Sequence, residues 1–297
     1  MNPRMGALRG VAAYALLVFG AFPVLGRWLS HALRGADGIV DYLVGHSIQL
    51  VAILIFGAIA AAIEKRPFAS FGLPWREALR GRFWIGALIG IGSLAALVLA
   101  LCAVGALALG PPATSAFAAA GFGLAYAVVF LLLAVREEFL YRGYGQFQLA
   151  QVAGFWPAAV ATTAWFVTTH ANGGENVIGL LNVGLFGLVA CLTLRRTGSL
   201  WLAIGFHAAW DWGETWLFGV ADSGHAAAPG HLFTARIPTT APAWLTGGPV
   251  GPEGSALCIA LFVVFGFACV RWLRAPQRAT AWPGWNAPGA VGGGRPE

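Results

Sequence analysis

The chain has 297 residues, 58% of them hydrophobic and 10% charged, with a mean hydropathy of +0.73. Soluble domains carry about 25% charged residues, so this composition excludes an ordinary soluble globule and points to a multi-spanning membrane protein. The net charge of +6 lies on basic residues scattered between apolar runs, which fits contact with anionic lipid and argues against nucleic acid.

In chain order, the apolar stretches predict an all-α polytopic membrane bundle of about eight transmembrane helices. The spans fall at about 11–29, 43–63, 83–109, 117–135, 155–170, 177–194, 199–220 and 255–273. The first has a basic start like a signal peptide, but its long apolar run lacks an A-x-A pattern, so it reads as a retained span. Within the third, Gly86 to Gly90 forms a G-x-x-x-G spacing that suits close helix packing. The segments then divide as 1–115 (about three N-terminal spans), 116–220 (a core), 221–254 (a Gly-, Pro- and Ala-rich outer loop), 255–274 (the last span) and 275–297 (a disordered tail). No internal repeat is evident.

A cytoplasmic N-terminus puts Arg4, Arg9, Lys65, Arg66, Arg76, Arg80, Arg82, Arg136, Arg142, Arg195, Arg196, Arg271, Arg274, Arg278 and Arg295 on the inner side. Only Arg27, Arg34 and Arg236 remain outside, which is the positive-inside asymmetry. Abundant Ala, Gly, Arg and Trp with little Lys suits a GC-rich bacterial genome and hence a bacterial plasma membrane. The four Cys are dispersed in apolar runs and make neither a disulfide framework nor a thiolate metal site.

Ionisable groups inside membrane helices are costly and therefore functional candidates. Three clusters occur. In "REEFLYR", Glu138 and Arg142 are four apart and share a helical face, while Glu137 and Tyr141 share the next. Arg142 can hold Glu138 and leave Glu137 facing something reactive. The competing reading is a solvated helix end with snorkelling arginines. In "WFVTTH", Phe166 and His170 share a face. In "FHAAWDWGE", His207, Asp211 and Glu214 can line one face, with His207 about eight residues (~12 Å) into its span. A structural role remains open for each histidine.

Together these groups can activate water, or hold a metal with an open coordination position. No serine, threonine or cysteine nucleophile has a base at suitable spacing. Convergence depends on the fourth helix. If it runs on to about Gln151, Glu137 lies ~20 Å from its cytoplasmic end, close to the ~22 Å depth of His170 along its own helix. If it stops near Gly143, Glu137 sits at the surface and convergence fails.

Residues 120–215 resemble the CPBP intramembrane endopeptidases, which include type II CAAX prenyl proteases and bacteriocin-processing or immunity proteins. The resemblance rests on Glu137-Glu138-x-x-x-Arg142, Phe166-x-x-x-His170 and His207-x-x-x-Asp211, in that order. It implies an intramembrane active-site cavity and hydrolysis of membrane-anchored peptide or protein substrates. It implies Glu137 as general base helped by His170, Arg142 orienting the carboxylates, and His207 with Asp211 at the oxyanion or a metal. Zn²⁺ on Glu137, His170 and His207 and a metal-free glutamate mechanism both stay open. Asp211 stands where many prenyl-processing members have Asn; an ionised Asp cannot donate to an oxyanion, so it orients His207 or meets a metal. The alternatives are a catalytically silent scaffold or immunity protein of the same family, and an ion-coupled transporter. Substrate identity and oligomeric state stay open.

Overall fold

The computed structural model describes residues 3–32, 38–112, 114–171, 175–225 and 229–273. The chain is a multi-pass helical bundle, with α1 (Pro3–Ala15), α2 (Phe22–Ala32), α3 (Gly38–Ile63), α4 (Gly81–Ala103), α5 (Ala116–Arg142), α6 (Tyr144–Ala153) and α7 (Phe155–Ala171). It continues with α8 (Val177–Thr197), α9 (Trp201–Trp212), α10 (Ala243–Thr246) and α11 (Ala256–Trp272). Five helical runs are long and apolar enough to cross a bilayer: Arg4–Leu29, Leu43–Ile63, Gly81–Ala103, Ala116–Ala153 and Val177–Thr197. Helices α7 and α11, at 17 residues each, are shorter. So is α9, which continues as the π-helix Gly213–Phe218.

One expectation needs correction. The third apolar run does not stay helical to residue 109. It ends at Ala103, Gly105 adopts φ +70°, and Ala108–Pro112 forms β1, paired antiparallel with β2 (Phe233–Arg236). Pro111 and Pro112 lack amide hydrogens and cannot extend a helix. The fold is therefore all-helical apart from this ribbon, and the segment expected as an outer loop over 221–254 is partly structured among its described residues. It carries β2, α10 and two 3₁₀ turns. The predicted tail, 275–297, lies outside the described residues.

Helix α9 is the central element, packed on α4 and α5. Its approach to α4 is a backbone-to-backbone contact made possible by glycine. A Cβ on Gly86 would lie 2.0 Å from the Leu202 carbonyl oxygen, one on Gly90 2.4 Å from that of Phe206, and one on Gly205 2.0 Å from that of Phe83. The G-x-x-x-G spacing is thus a packing surface. On its other side, Trp212 Nε1 donates to the Gly123 carbonyl (2.8 Å) and Trp216 Nε1 to that of Ala119 (2.7 Å), tying α9 and its π-helical extension to α5. Phe206 stacks on Phe265 of α11, with centroids 4.8 Å apart.

This packing sets a sign test. Gly92 of α4 has open space around a would-be Cβ, so Gly92→Ala is expected to be neutral or to stabilise by up to about 1 kcal/mol. Gly205→Ala must separate the two helices and is expected to cost about 1–3 kcal/mol. Thermal unfolding in detergent, followed by tryptophan fluorescence, reads both.

Candidate functional site

The helix carrying "REEFLYR" ends at Arg142, shifts course at Gly143, and resumes as α6 to Ala153. The Gly143 amide still donates to the Phe139 carbonyl (3.0 Å) and Phe147 N–H to the Gly143 carbonyl (3.0 Å). The path therefore continues past Gly145, and the charged residues sit in the interior of a 38-residue helical run. They are not a solvated helix end.

Glu138 and Arg142 are wholly buried and paired, Arg142 Nη1 donating to Glu138 Oε1 at 3.3 Å. The same oxygen accepts from His207 Nδ1 at 3.0 Å. The guanidinium carbon lies 4.3 Å from the centroid of the Phe166 ring and 5.8 Å from that of Phe186, a cation–π cradle in a dry setting. Its space comes from Gly187 of α8, where a Cβ would lie 2.8 Å from Arg142 Nη2. Nothing in the sequence pattern marks Gly187; its role depends on α8 meeting α5 and α7.

Glu137 points elsewhere. It lines a cavity of about 1180 Å³ together with His170, His207 and Asp211, walled by α3, α5, α7, α8, α9, α11 and the loop around Asp222. Its Oε1 accepts from Arg136 Nη2 at 2.5 Å, and Arg136 is itself held by Gln49 of α3. Its Oε2 faces His207 Nε2 at 3.9 Å. His207 Nε2 is also 3.4 Å from Asp211 Oδ2. Three carboxylates, two guanidiniums and a protonated His207 would make this cluster electrically neutral. Arg136, counted in the sequence only as an inner-side charge, is a site residue that the motifs did not include, as are Asp222 and Glu253. The position of Arg136 beside Glu137 within an apolar helix was the available signal.

His170 reaches the same cavity from the end of α7. Its Nδ1 lies 2.9 Å from the Phe166 carbonyl, which can only accept. Nδ1 therefore carries a proton, which leaves Nε2 facing the cavity as an acceptor whenever it carries none. This explains the F-x-x-x-H spacing: residue i supplies the carbonyl, and its ring packs on the imidazole with centroids 4.4 Å apart. Tyr141 bonds Thr169 Oγ1 at 2.9 Å and fixes α5 to α7 one turn below Glu137.

The loop side of the cavity is acidic. Burial and the adjacent Glu253 carboxylate push Glu175 up to about 8. Burial and Asp222 push Glu253 up to about 7, and burial with Glu137 raises Asp222 to about 6. Groups with raised folded-state values hold protons that the unfolded chain has released. Their stabilisation is full below about pH 4.5 and is lost as pH rises through about 7 and 8. The unfolding midpoint is expected to fall between pH 5 and pH 8.5, and Glu253→Gln should flatten that slope. A midpoint that rises over this range would contradict the assignment.

Zinc ligands sit at about 2.0–2.2 Å, so Glu137, His170 and His207 would have to gather their donor atoms tightly to hold it. They do not. The Glu137–His207 pair, 3.9 Å apart, is near ligand spacing, but His170 brings no donor atom within 4.8 Å of both, and the Arg136 guanidinium already occupies Glu137 Oε1. Among the described residues, the His, Cys, Asp and Glu side chains that bring ligand atoms within 4.8 Å of one another are Asp211, Glu214 and Asp222. As arranged, the Glu137–His170–His207 trio does not fit zinc.

Residues 119–213 match the family described as type II CAAX prenyl endopeptidase Rce1-like. The matched segment contains all three polar clusters, from Glu137 to Asp211. No curated protein and no solved structure matches the chain.

Proposed function

We propose that this chain, whose residues 119–213 match the type II CAAX prenyl endopeptidase Rce1-like family, is an intramembrane endopeptidase in which Glu137 activates a water and His207 stabilises the oxyanion. The observation that carries this reading is the 3.9 Å gap between Glu137 Oε2 and His207 Nε2 at the wall of the cavity. One water can bond both groups across it.

In the reaction, Glu137 Oε2 takes a proton from the water, and the resulting hydroxide oxygen adds to the scissile carbonyl carbon. His207 donates Nε2–H to the developing oxyanion, held in place by Glu138 on Nδ1 and by Asp211 beside Nε2. Collapse breaks the C–N bond, and the proton held by Glu137 passes to the leaving amine. His170 Nε2 accepts from the water and orients it. Arg136 anchors the other oxygen of Glu137, so that a single oxygen does the proton transfer. Arg142 acts through Glu138 and is a positioning residue. Aromatic walls, including Tyr126, Phe130 and Phe166, suit an apolar stretch of a membrane-anchored peptide or protein.

We place the N-terminus in the cytoplasm of a bacterial plasma membrane, on the inner-side excess of basic residues. A silent scaffold or immunity protein is the second reading, since Arg136 occupies Glu137 as arranged here.

The test uses purified protein in nanodiscs with membrane-anchored reporter peptides, read by mass spectrometry. The expected result is a product pair whose masses sum to substrate plus one water, lost in His207→Ala. An intact peptide pool, together with a cellular phenotype that survives His207→Ala but not deletion, would establish the silent reading instead.

A further inference from the structure

Asp211, Glu214 and Asp222 form a second constellation on the loop side of the cavity. One carboxylate oxygen from each of the three lies within 4.8 Å of those of the other two. Asp211 sits in the last turn of α9, Glu214 in the π-helical extension, and Asp222 just beyond the left-handed Gly219 that turns the chain. Proximity of acids alone would mean little. The informative residue is Glu214. Its side chain is wholly buried, and neither carboxylate oxygen has a hydrogen-bond partner. Among the described residues, no lysine or arginine lies within ion-pair distance of Glu214 or Asp222. A dry carboxylate with no donor and no cation is expensive, and native structures rarely leave one so. Here it converges on two further acids at the spacing of an ion's coordination shell.

The π-helix produces this convergence. An i→i+5 turn inserts one extra residue into the helical path, and such segments recur at functional sites. In a regular α-helix, Asp211 and Glu214, three apart, would point to adjacent positions on one face. At the end of the π-helix the left-handed Gly219 and an i→i+6 bond from the Val220 amide to the Glu214 carbonyl (3.0 Å) reverse the chain and bring Asp222 back over them. Thr215 Oγ1 reaches Asp222 Oδ2 at 3.3 Å and adds a fourth oxygen nearby.

We infer that Asp211, Glu214 and Asp222 bind a hard divalent cation that staples the outer loop to the end of α9. An all-oxygen, all-carboxylate donor set selects Ca²⁺, Mg²⁺ or Mn²⁺ over the softer metals that histidine and cysteine prefer. The ion is separate from the Glu137–His207 chemistry, which it touches only through Asp211. With one oxygen on the ion, Asp211 would be fixed where its Oδ2 meets His207 Nε2 at 3.4 Å. The inference stands on Glu214 and its neighbours whether or not the chain cleaves peptides.

Two readouts test it without any activity assay, on full-length protein in detergent at pH 7.5 after chelation. The first is the unfolding midpoint during titration with CaCl₂, MgCl₂ or MnCl₂. The second is Tb³⁺ luminescence excited through tryptophan, since Trp212 and Trp216 flank Glu214 in sequence. Expected are a saturable rise in midpoint with at least one of the three ions and a saturable Tb³⁺ signal displaced by it. Both should weaken at least about tenfold in Glu214→Gln and in Asp222→Asn. Glu77→Gln, at an exposed carboxylate paired with Arg82 and outside this cluster, should bind as wild type does. The proposal is overturned if wild-type protein shows neither response at millimolar ion. It is equally overturned if Glu214→Gln and Asp222→Asn bind as tightly as wild type, or if Glu214→Gln alone raises the midpoint as much as the ion does. That last result would make Glu214 a buried neutral acid.

Discussion

Replacing Arg142 with methionine is expected to destabilise the protein by about 3–5 kcal/mol, the cost of leaving a fully buried carboxylate without its cation. Glu138 and Arg142 are both inaccessible to solvent, so neither can fall back on water. The size of the loss is not the worth of the pair, because desolvating both ions offsets much of their attraction. Glu138→Gln combined with Arg142→Met removes both charges and should recover more than half of the loss. Arg142→Lys should fall between wild type and Arg142→Met. It restores charge but not the flat guanidinium lying over Phe166 in the space left by Gly187. Unfolding in detergent by denaturant or heat measures all three. A single Arg142→Met variant as stable as wild type would mean that Glu138 is carried neutral, and would remove the ion pair from the account of the core.

Glu137→Gln is expected to lower peptide cleavage by about 10³-fold or more while leaving the unfolding midpoint nearly unchanged. Glutamine keeps the shape of the side chain and can still accept from Arg136, but it cannot take a proton from water. General-base catalysis is worth about 10²–10⁴-fold. Glu137 stands at the cavity wall, with 14% of its side chain exposed, whereas Glu138 is sealed. The two adjacent carboxylates are therefore separable by experiment. Substitution of Glu138 should reduce stability as well as rate, because it removes the acceptor of both Arg142 and His207. Substitution of Glu137 should reduce rate alone.

The bundle was legible because bilayer-spanning helices need long apolar runs, and five helical runs in the structure are long and apolar enough to cross a bilayer. The i, i+4 spacings were equally readable: Glu138 meets Arg142, His207 meets Asp211, and His170 meets the Phe166 carbonyl. What the sequence could not supply was anything created by contact between distant segments. Gly187 shelters Arg142 across three helices, and Gln49 steers Arg136 from α3. The 221–254 loop, with its turn-rich composition, gave no sign that Asp222 and Glu253 would return to the cavity. Glu214 was placed on the face of His207 by α-helical periodicity. It does stand beside Asp211, and the chain's return past Gly219 adds Asp222, a meeting that no periodicity argument anticipates.

Glu137, as base on the attacking water, and His207, as donor to the oxyanion, serve one hydrolytic step across their 3.9 Å separation. Single-turnover cleavage of a membrane-anchored peptide by wild type, Glu137→Gln, His207→Ala and the double variant tests this most directly. Residues that serve one step lose their effect together, so the double variant is predicted to be no slower than the slower single variant, within about threefold. Losses that multiply in the double variant, or a single variant that keeps the wild-type rate, would contradict it.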